Sequence, residues 1–268
     1  MNSFSELKAG VLAYCNKTNF QGYLMILESV GIVSPKLVQS QNALNFGYVL
    51  YLYLKEQKTP SKVIEKSVRR WVLLSILTQR YSGSAESKFD EDIRKFTTAT
   101  SPLEVIDNEE KGVLSDAFWN NILIDKLTTA KMNFAFHCYW MAQIKANDQG
   151  FLSDEITVRS MQLNYGDMHH IFPKNYLKKN GINKQNDYNQ LANYAMVQKE
   201  INIQISDKAP MNYLQEYDRD TKKIQNNFKE NAVPLDLFEM DVNDYQVFLS
   251  ERRKFMVEKI RSFYESFK

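Results

Sequence analysis

Two of the three histidines in this 268-residue chain are adjacent, in the run Asp167-Met168-His169-His170-Ile171-Phe172-Pro173-Lys174. Imidazole takes up a proton near neutral pH and ligates divalent metals through either ring nitrogen. A pair of them therefore offers a general base, a metal ligand, or both. Two asparagines follow: 22 residues separate His170 from Asn193, and eight separate Asn193 from Asn202. Asparagine is common in this chain, so only the spacing singles them out. Lys174, Lys178, Lys179 and Lys184 make the intervening stretch basic, with Asp187 the only acid among residues 168–199. Such lysines either contact phosphates or line a solvated loop. The plain alternative for the histidines is a surface or half-buried pair ahead of an Ile-Phe-Pro turn, with Pro173 ending a strand. A structural zinc site is disfavoured, because clustered cysteines are lacking and the ligands are too few for a closed tetrahedral shell.

Helical periodicity dominates the elements that must position these residues. Over 245–267 apolar residues recur mostly at steps of three and four. Glu251, Arg252, Arg253, Lys254, Glu258, Lys259 and Arg261 lie between them as a mostly solvated face, and Asn243 and Asp244 are placed to cap the helix. Residues 61–80 predict another helix, started at Thr59-Pro60, with Ile64, Val68, Trp71 and Val72 inward and a second half apolar almost all round. Segments near 20–30, 41–57, 115–125 and 128–147 read as helices too. In the last of these Phe134, Phe136, Tyr139 and Trp140 read as core, and His137 as a core or boundary histidine. Arg69, Arg70 and Arg80 are helix-surface charges by default, or else a ridge facing DNA.

The pattern changes after Gly150. Residues 156–165 (ITVRSMQLNY) combine β-branched residues with partial alternation, and 192–197 is a second strand candidate. Asp207 and Lys208 before Ala209-Pro210 suggest a cap and turn into a further helix. The expected fold is mainly α, a helical protein with a small β-containing unit inserted. Residues 1–155 form the helical domain, 156–217 the insert, and 218–268 C-terminal helices packed on the helical part.

The histidine pair and the two spaced asparagines resemble the HNH nuclease motif, a ββα-metal finger. There a ligand–His pair closes the first strand, an Asn opens the second, and a His or Asn follows on the helix; an Ile-x-Pro after the pair is also characteristic. The runs HHIFPKNYL and LANYAMVQKEINIQISDKAPMNYL are similar to the C-terminal nuclease region of GmrSD-type restriction proteins, over residues 167–214. A weaker likeness extends upstream through Arg69-Arg70-Trp71 and Arg80-Tyr81-Ser82-Gly83-Ser84. Those proteins usually begin with a ParB-like nucleotide-binding domain carrying Asp-Gly-Gln-Gln-Arg, which this sequence lacks, so it resembles their C-terminal half.

The resemblance implies a metal-dependent endonuclease that hydrolyses DNA in defence against foreign or phage DNA, with a ParB-like domain or subunit as a further partner. Carried over residue by residue, His170 is the general base and Asn193 holds its imidazole through the side-chain carbonyl. His169 and Asn202 become the protein ligands of one divalent metal, a Lewis acid. Lys174, Lys178 and Lys179 become nucleic-acid contacts. Many HNH sites place Asp at the position of His169 and His at that of Asn202. Two neutral ligands imply weak metal binding without the DNA phosphate. The implied metal is Mg²⁺ or Mn²⁺, and a nitrogen ligand suits Mn²⁺, Ni²⁺ or Zn²⁺ better than Mg²⁺. Asp167, two residues before His169, adds charge on the same strand face if the segment is extended.

Composition sets the outer bounds. With 34 Lys+Arg against 32 Asp+Glu and 44% hydrophobic residues, collagen-like, disordered and disulfide-scaffold classes are excluded. A net charge of +2 gives no vote for nucleic acid. Cys15 and Cys138 fit no metal-ligand spacing and read as buried thiols in a reducing cytoplasm. Neither a secretory signal nor an apolar stretch long enough to cross a bilayer is visible, so a cytoplasmic protein without membrane contact is expected. Two other readings stay open: a catalytically silent module that keeps the ββα shape to grip nucleic acid or a partner, and a nuclease directed at RNA.

Overall fold

The computed structural model describes residues 3–164 and 166–268, without the side chains of Ser3 and Asp167. The charge expected from Asp167 thus lies outside what is described. The chain forms two compact units: one runs to Ser115 and takes in Phe263–Lys268, the other is Asp116–Ser262.

The first unit is built on α1 (Ser3–Tyr14), α2 (Lys17–Ser29), α3 (Gln41–Glu56), α4 (Ser61–Leu77), α5 (Ala85–Thr98) and α6 (Pro102–Val113). As its all-round apolar second half requires, α4 is buried at every residue from Trp71 to Leu77, and it packs on α3 and α6. Gly47 allows the close approach of α3 to α4: a Cβ there would stand 2.4 Å from Val72 Cγ2. Arg70 and Arg80 do not form a surface ridge. Arg70 donates to Glu110 at 2.9 Å and Asp107 at 2.5 Å, and Arg80 to both oxygens of Asp92 at 2.7 and 2.5 Å and to Glu109 at 2.5 Å. Acids on α5 and α6 meet these arginines inside the unit. Arg69, partly exposed, donates to Ser29 and Glu65. Cys15 is exposed where a buried thiol was expected, whereas Cys138 is buried.

The second unit follows in chain order from a π-helical stretch at Phe118–Ile122. It holds α7 (Leu123–Lys126), α8 (Phe134–Ala146), α9 (Val158–Leu163), β1 (Asp167–His170), α10 (Lys174–Lys179), α11 (Gln185–Tyr188), β2 (Tyr194–Val197), α12 (Lys199–Ile205), α13 (Pro210–Tyr213), α14 (Lys222–Glu230) and the greater part of α15 (Tyr245–Glu265). Every residue of α8 from Phe134 to Ile144 is buried, His137 among them. Asn133 caps its start by accepting from the Ala135 and Phe136 N–H groups, and Asn147 ends it in the left-handed conformation at φ 59°.

The strand expected over 156–165 is a helix instead. Thr157 accepts the Ser160 N–H at 3.1 Å and so starts α9. A β-branched residue serving as a cap produced the extended signal. The polar stretch 177–190, too, contains the end of α10 and all of α11. The division into 1–155, 156–217 and 218–268 also differs from the observed one, because 116–155 and 218–262 share a unit with the two strands.

The strands pair antiparallel in the register Asp167↔Val197, Met168↔Met196, His169↔Ala195 and His170↔Tyr194. A two-stranded ribbon has little stability alone. Here its surroundings brace it. The Phe151 N–H donates to Met196 O at 2.8 Å, and Arg252 of α15 donates to Ala192 O at 2.8 Å and Tyr194 O at 2.7 Å. Arg252 also reaches Asn231 O and has no solvent exposure. It therefore does not belong to the solvated face of α15; its charge is dispersed over backbone carbonyls that the ribbon and the end of α14 leave free. Just upstream of α15, Asp241 and Asp244 form a reciprocal capping box on a 3₁₀ turn, Val242–Asp244.

Candidate functional site

His170 is the last residue of β1, and its side chain shares a ribbon face with Tyr194, directly opposite. The two rings lie 4.5 Å apart, with Tyr188 at 6.5 Å. His169 precedes it in the same strand, so its side chain leaves from the other face, beside Ala195. Adjacency in sequence thus separates the two imidazoles across the ribbon.

The hydrogen bond expected from Asn193 to His170 is not the one formed. His170 Nε2 lies 2.9 Å from Asn189 Oδ1. Asn193, wholly buried just ahead of β2, turns its side chain to the loop instead: Oδ1 accepts the Phe172 N–H at 2.8 Å, and Nδ2 donates to Phe172 O at 3.0 Å and Tyr188 O at 3.2 Å. Its own carbonyl accepts from Ile171 N at 2.8 Å. A primary amide has both donors and an acceptor, so one side chain can close both ends of a loop whose backbone would otherwise be buried unpaired. Tyr213 and Tyr245 add hydroxyl donors, to Ile171 O at 3.0 Å and to Asp187 O at 2.9 Å.

Asn189 was missed by the reading of the sequence. It ends α11 in an Asn-rich, aperiodic stretch, and its partner is set by the closure of that loop rather than by any spacing. Its one signal is its place four residues before the motif asparagine.

Asn202 lies on α12, the helix that follows β2. The exposed side of that helix carries Lys199, Glu200, Ile203 and Gln204, while Ile201, Asn202 and Ile205 lie on the more buried side. In chain order β1 is followed by α10 and α11, then by β2 and α12, with His169 and His170 on the first strand and Asn202 on the last helix. Their donors, an imidazole nitrogen and an amide oxygen, are both neutral and both able to ligate a divalent ion. Among the described residues, no three His, Cys, Asp or Glu side chains gather into a metal-binding group.

The electrostatics favour a neutral His170. Burial pushes its pKa down, the Asn189 hydrogen bond opposes this, and the charges of Lys174 and His169 push it further down. Lys174 Nζ stands over the Tyr188 ring at 5.4 Å and Lys178 Nζ at 5.1 Å, and that ring lies 6.5 Å from the His170 imidazole. Both lysines are exposed. Lys179 differs, being paired with Asp207.

This makes the chain a mainly helical protein holding a two-stranded antiparallel ribbon followed by a helix. No family model matches it, and no solved structure matches it. It is similar to an uncharacterized protein of Methanocaldococcus jannaschii, MJ0686, with 24% identity over 229 residues that cover 72% of this chain and 36% of that protein. The chain thus spans little more than a third of the length of that curated relative. Among the described residues, no helix is long and apolar enough to cross a membrane.

Proposed function

We propose that this chain is a metal-dependent endonuclease of the HNH, ββα-metal type, acting on DNA phosphodiester bonds as the nuclease part of a restriction or phage-defence protein. The observation that carries the reading is the placing of His170. It is a half-buried imidazole at the end of β1, its pKa pushed down by burial, with two exposed lysines over the neighbouring Tyr188 ring. A neutral imidazole is the form that can accept a proton, and ammonium groups beside it suit a phosphodiester.

In hydrolysis a water oxygen forms a bond to phosphorus while the bond to the leaving sugar oxygen breaks. His170 takes the proton released by that water. Lys174 and Lys178 hold non-bridging oxygens and neighbouring phosphates. His169 and Asn202 would hold the divalent ion, which supplies Lewis-acid stabilisation of charge on the phosphate and the leaving oxygen. Their neutral donor set favours Mn²⁺, Ni²⁺ or Zn²⁺ over Mg²⁺. Asn193 closes the loop between the strands and is a positioning residue.

The GmrSD resemblance adds a ParB-like nucleotide-binding domain or subunit as partner, and the reducing cytoplasm as the compartment in which Cys15 and Cys138 stay as free thiols. The test is nicking of supercoiled plasmid with Mg²⁺, Mn²⁺, Ni²⁺ or Zn²⁺ and with EDTA, alongside single- and double-stranded RNA. Metal-dependent nicking of DNA that EDTA abolishes is expected. Cleavage confined to RNA would redirect the substrate, and a folded protein that binds DNA yet cuts nothing would favour the silent module. What favours that second reading is the neutral donor pair of His169 and Asn202, since two uncharged ligands hold a divalent ion weakly.

A further inference from the structure

We propose that Asn189 is the positioning residue that selects the tautomer and orientation of His170. The inference rests on the nuclease reading above for its consequence, and on the hydrogen bond for its substance. An amide oxygen can only accept. The 2.9 Å contact between Asn189 Oδ1 and His170 Nε2 therefore places the hydrogen on Nε2, which leaves the lone pair on Nδ1 as the one that can receive a proton from water. With the opposite tautomer the ring would present an N–H to the water and could not act as a base.

The residues around Asn189 are arranged to keep it there. Asn193 Nδ2 donates to Tyr188 O and to Phe172 O, while Asn193 Oδ1 accepts the Phe172 N–H. Tyr245 donates from α15 to Asp187 O. The backbone is thus tied down at the two residues before Asn189, and the Asn189 N–H bonds to Gln185 O at 3.0 Å. The Tyr194 ring, 4.5 Å from the imidazole, restricts ring rotation from the side. The motif asparagine, Asn193, acts on His170 through this loop, and Asn189 makes the contact itself.

A chain with three histidines is suited to ¹⁵N spectroscopy of its imidazoles, since His137→Gln and His169→Gln variants leave each signal assignable. In the metal-free protein at pH 8, His170 should show a protonated Nε2 and an unprotonated Nδ1. Asn189→Ala should give a tautomer mixture, and Asn189→Asp, which keeps an acceptor oxygen, should hold the wild-type form. In plasmid nicking, Asn189→Ala should lower kcat by about tenfold to a hundredfold, a part of what a positioned base contributes, with KM within about twofold. Asn189→Asp should recover most of that loss.

A wild-type ring protonated on Nδ1, or a ring unchanged in Asn189→Ala, would overturn the proposal. So would full kcat in Asn189→Ala. The ring spectrum decides the positioning and the wild-type nicking assay decides the nuclease reading, so the two fail separately.

Discussion

The first unit and the surroundings of the ribbon in the second are held by different chemistry. In the first, buried charges meet charges: Arg70 with Glu110 and Asp107, and Arg80 with Asp92 and Glu109, which Lys95 also reaches. Around the ribbon of the second, amides and one arginine meet backbone. Asn193 ties the loop between the strands, Asn227 accepts from Leu152 N at 2.8 Å and donates to Gly150 O at 2.9 Å, and Arg252 donates to three backbone carbonyls. Charges in the first unit are thus taken up by its architecture. The loop beside His170 is closed by amide and hydroxyl groups, and Lys174 and Lys178 are exposed.

Breaking the ionic framework should have the largest effect on stability. Asp92→Ala leaves Arg80 buried with only Glu109, and removing one partner of such a pair costs about 3–5 kcal/mol. Thermal unfolding of the variant should show the loss, with the first unit melting early by hydrogen exchange. An unchanged melting temperature would mean that these ion pairs carry no weight. Asn193→Ala should cost less, about 1–3 kcal/mol, because it strands the buried Phe172 N–H and carbonyl. It should also slow nicking, by releasing the loop that bears Asn189. A variant that loses stability but keeps full kcat would separate the clasp from the chemistry.

The smallest effect on stability belongs to the double change Lys174→Gln and Lys178→Gln. Both side chains are exposed, so unfolding should shift by no more than about 0.5 kcal/mol. DNA affinity should fall, and the slope of log K against log salt should become shallower by about two, about one for each phosphate contact. A slope that does not change would detach these lysines from the nucleic acid and leave the comparison between the units without its functional half.

The parts of this fold that were legible in the sequence are those where apolar residues mark the buried face. α4, α8 and α15 follow from periodicity, and β2 from a short apolar run. α5 and α6 do not, because their inward faces carry Asp92 and Glu110 beside Phe96 and Ile106; a hydrophobic pattern passes over a helix that buries its acids. Arg252 misleads in the same way, since nothing local shows that a charged residue will find unpaired carbonyls. Residues 156–158 misled through β-branching, which suits a strand and also serves a Thr cap. Of the candidate site, His169, His170, Asn193 and Asn202 are singled out by spacing alone; the structure puts the two histidines at the end of β1, Asn193 just ahead of β2 and Asn202 on α12. The partner of His170 was not legible, because whether Asn189 or Asn193 meets the ring depends on how 22 intervening residues close, not on their identity.

The central claim is that His170 is the base of a metal-dependent nuclease, and the most direct test compares wild type with His170→Ala in plasmid nicking at saturating Mn²⁺. Both proteins should give the same circular dichroism, since His170 lies at the end of a two-stranded ribbon and outside the buried core. Nicking by the wild type that falls by about 10²–10⁴ in His170→Ala is the expected result. Equal nicking by the two proteins, or none by a folded wild type, would contradict it.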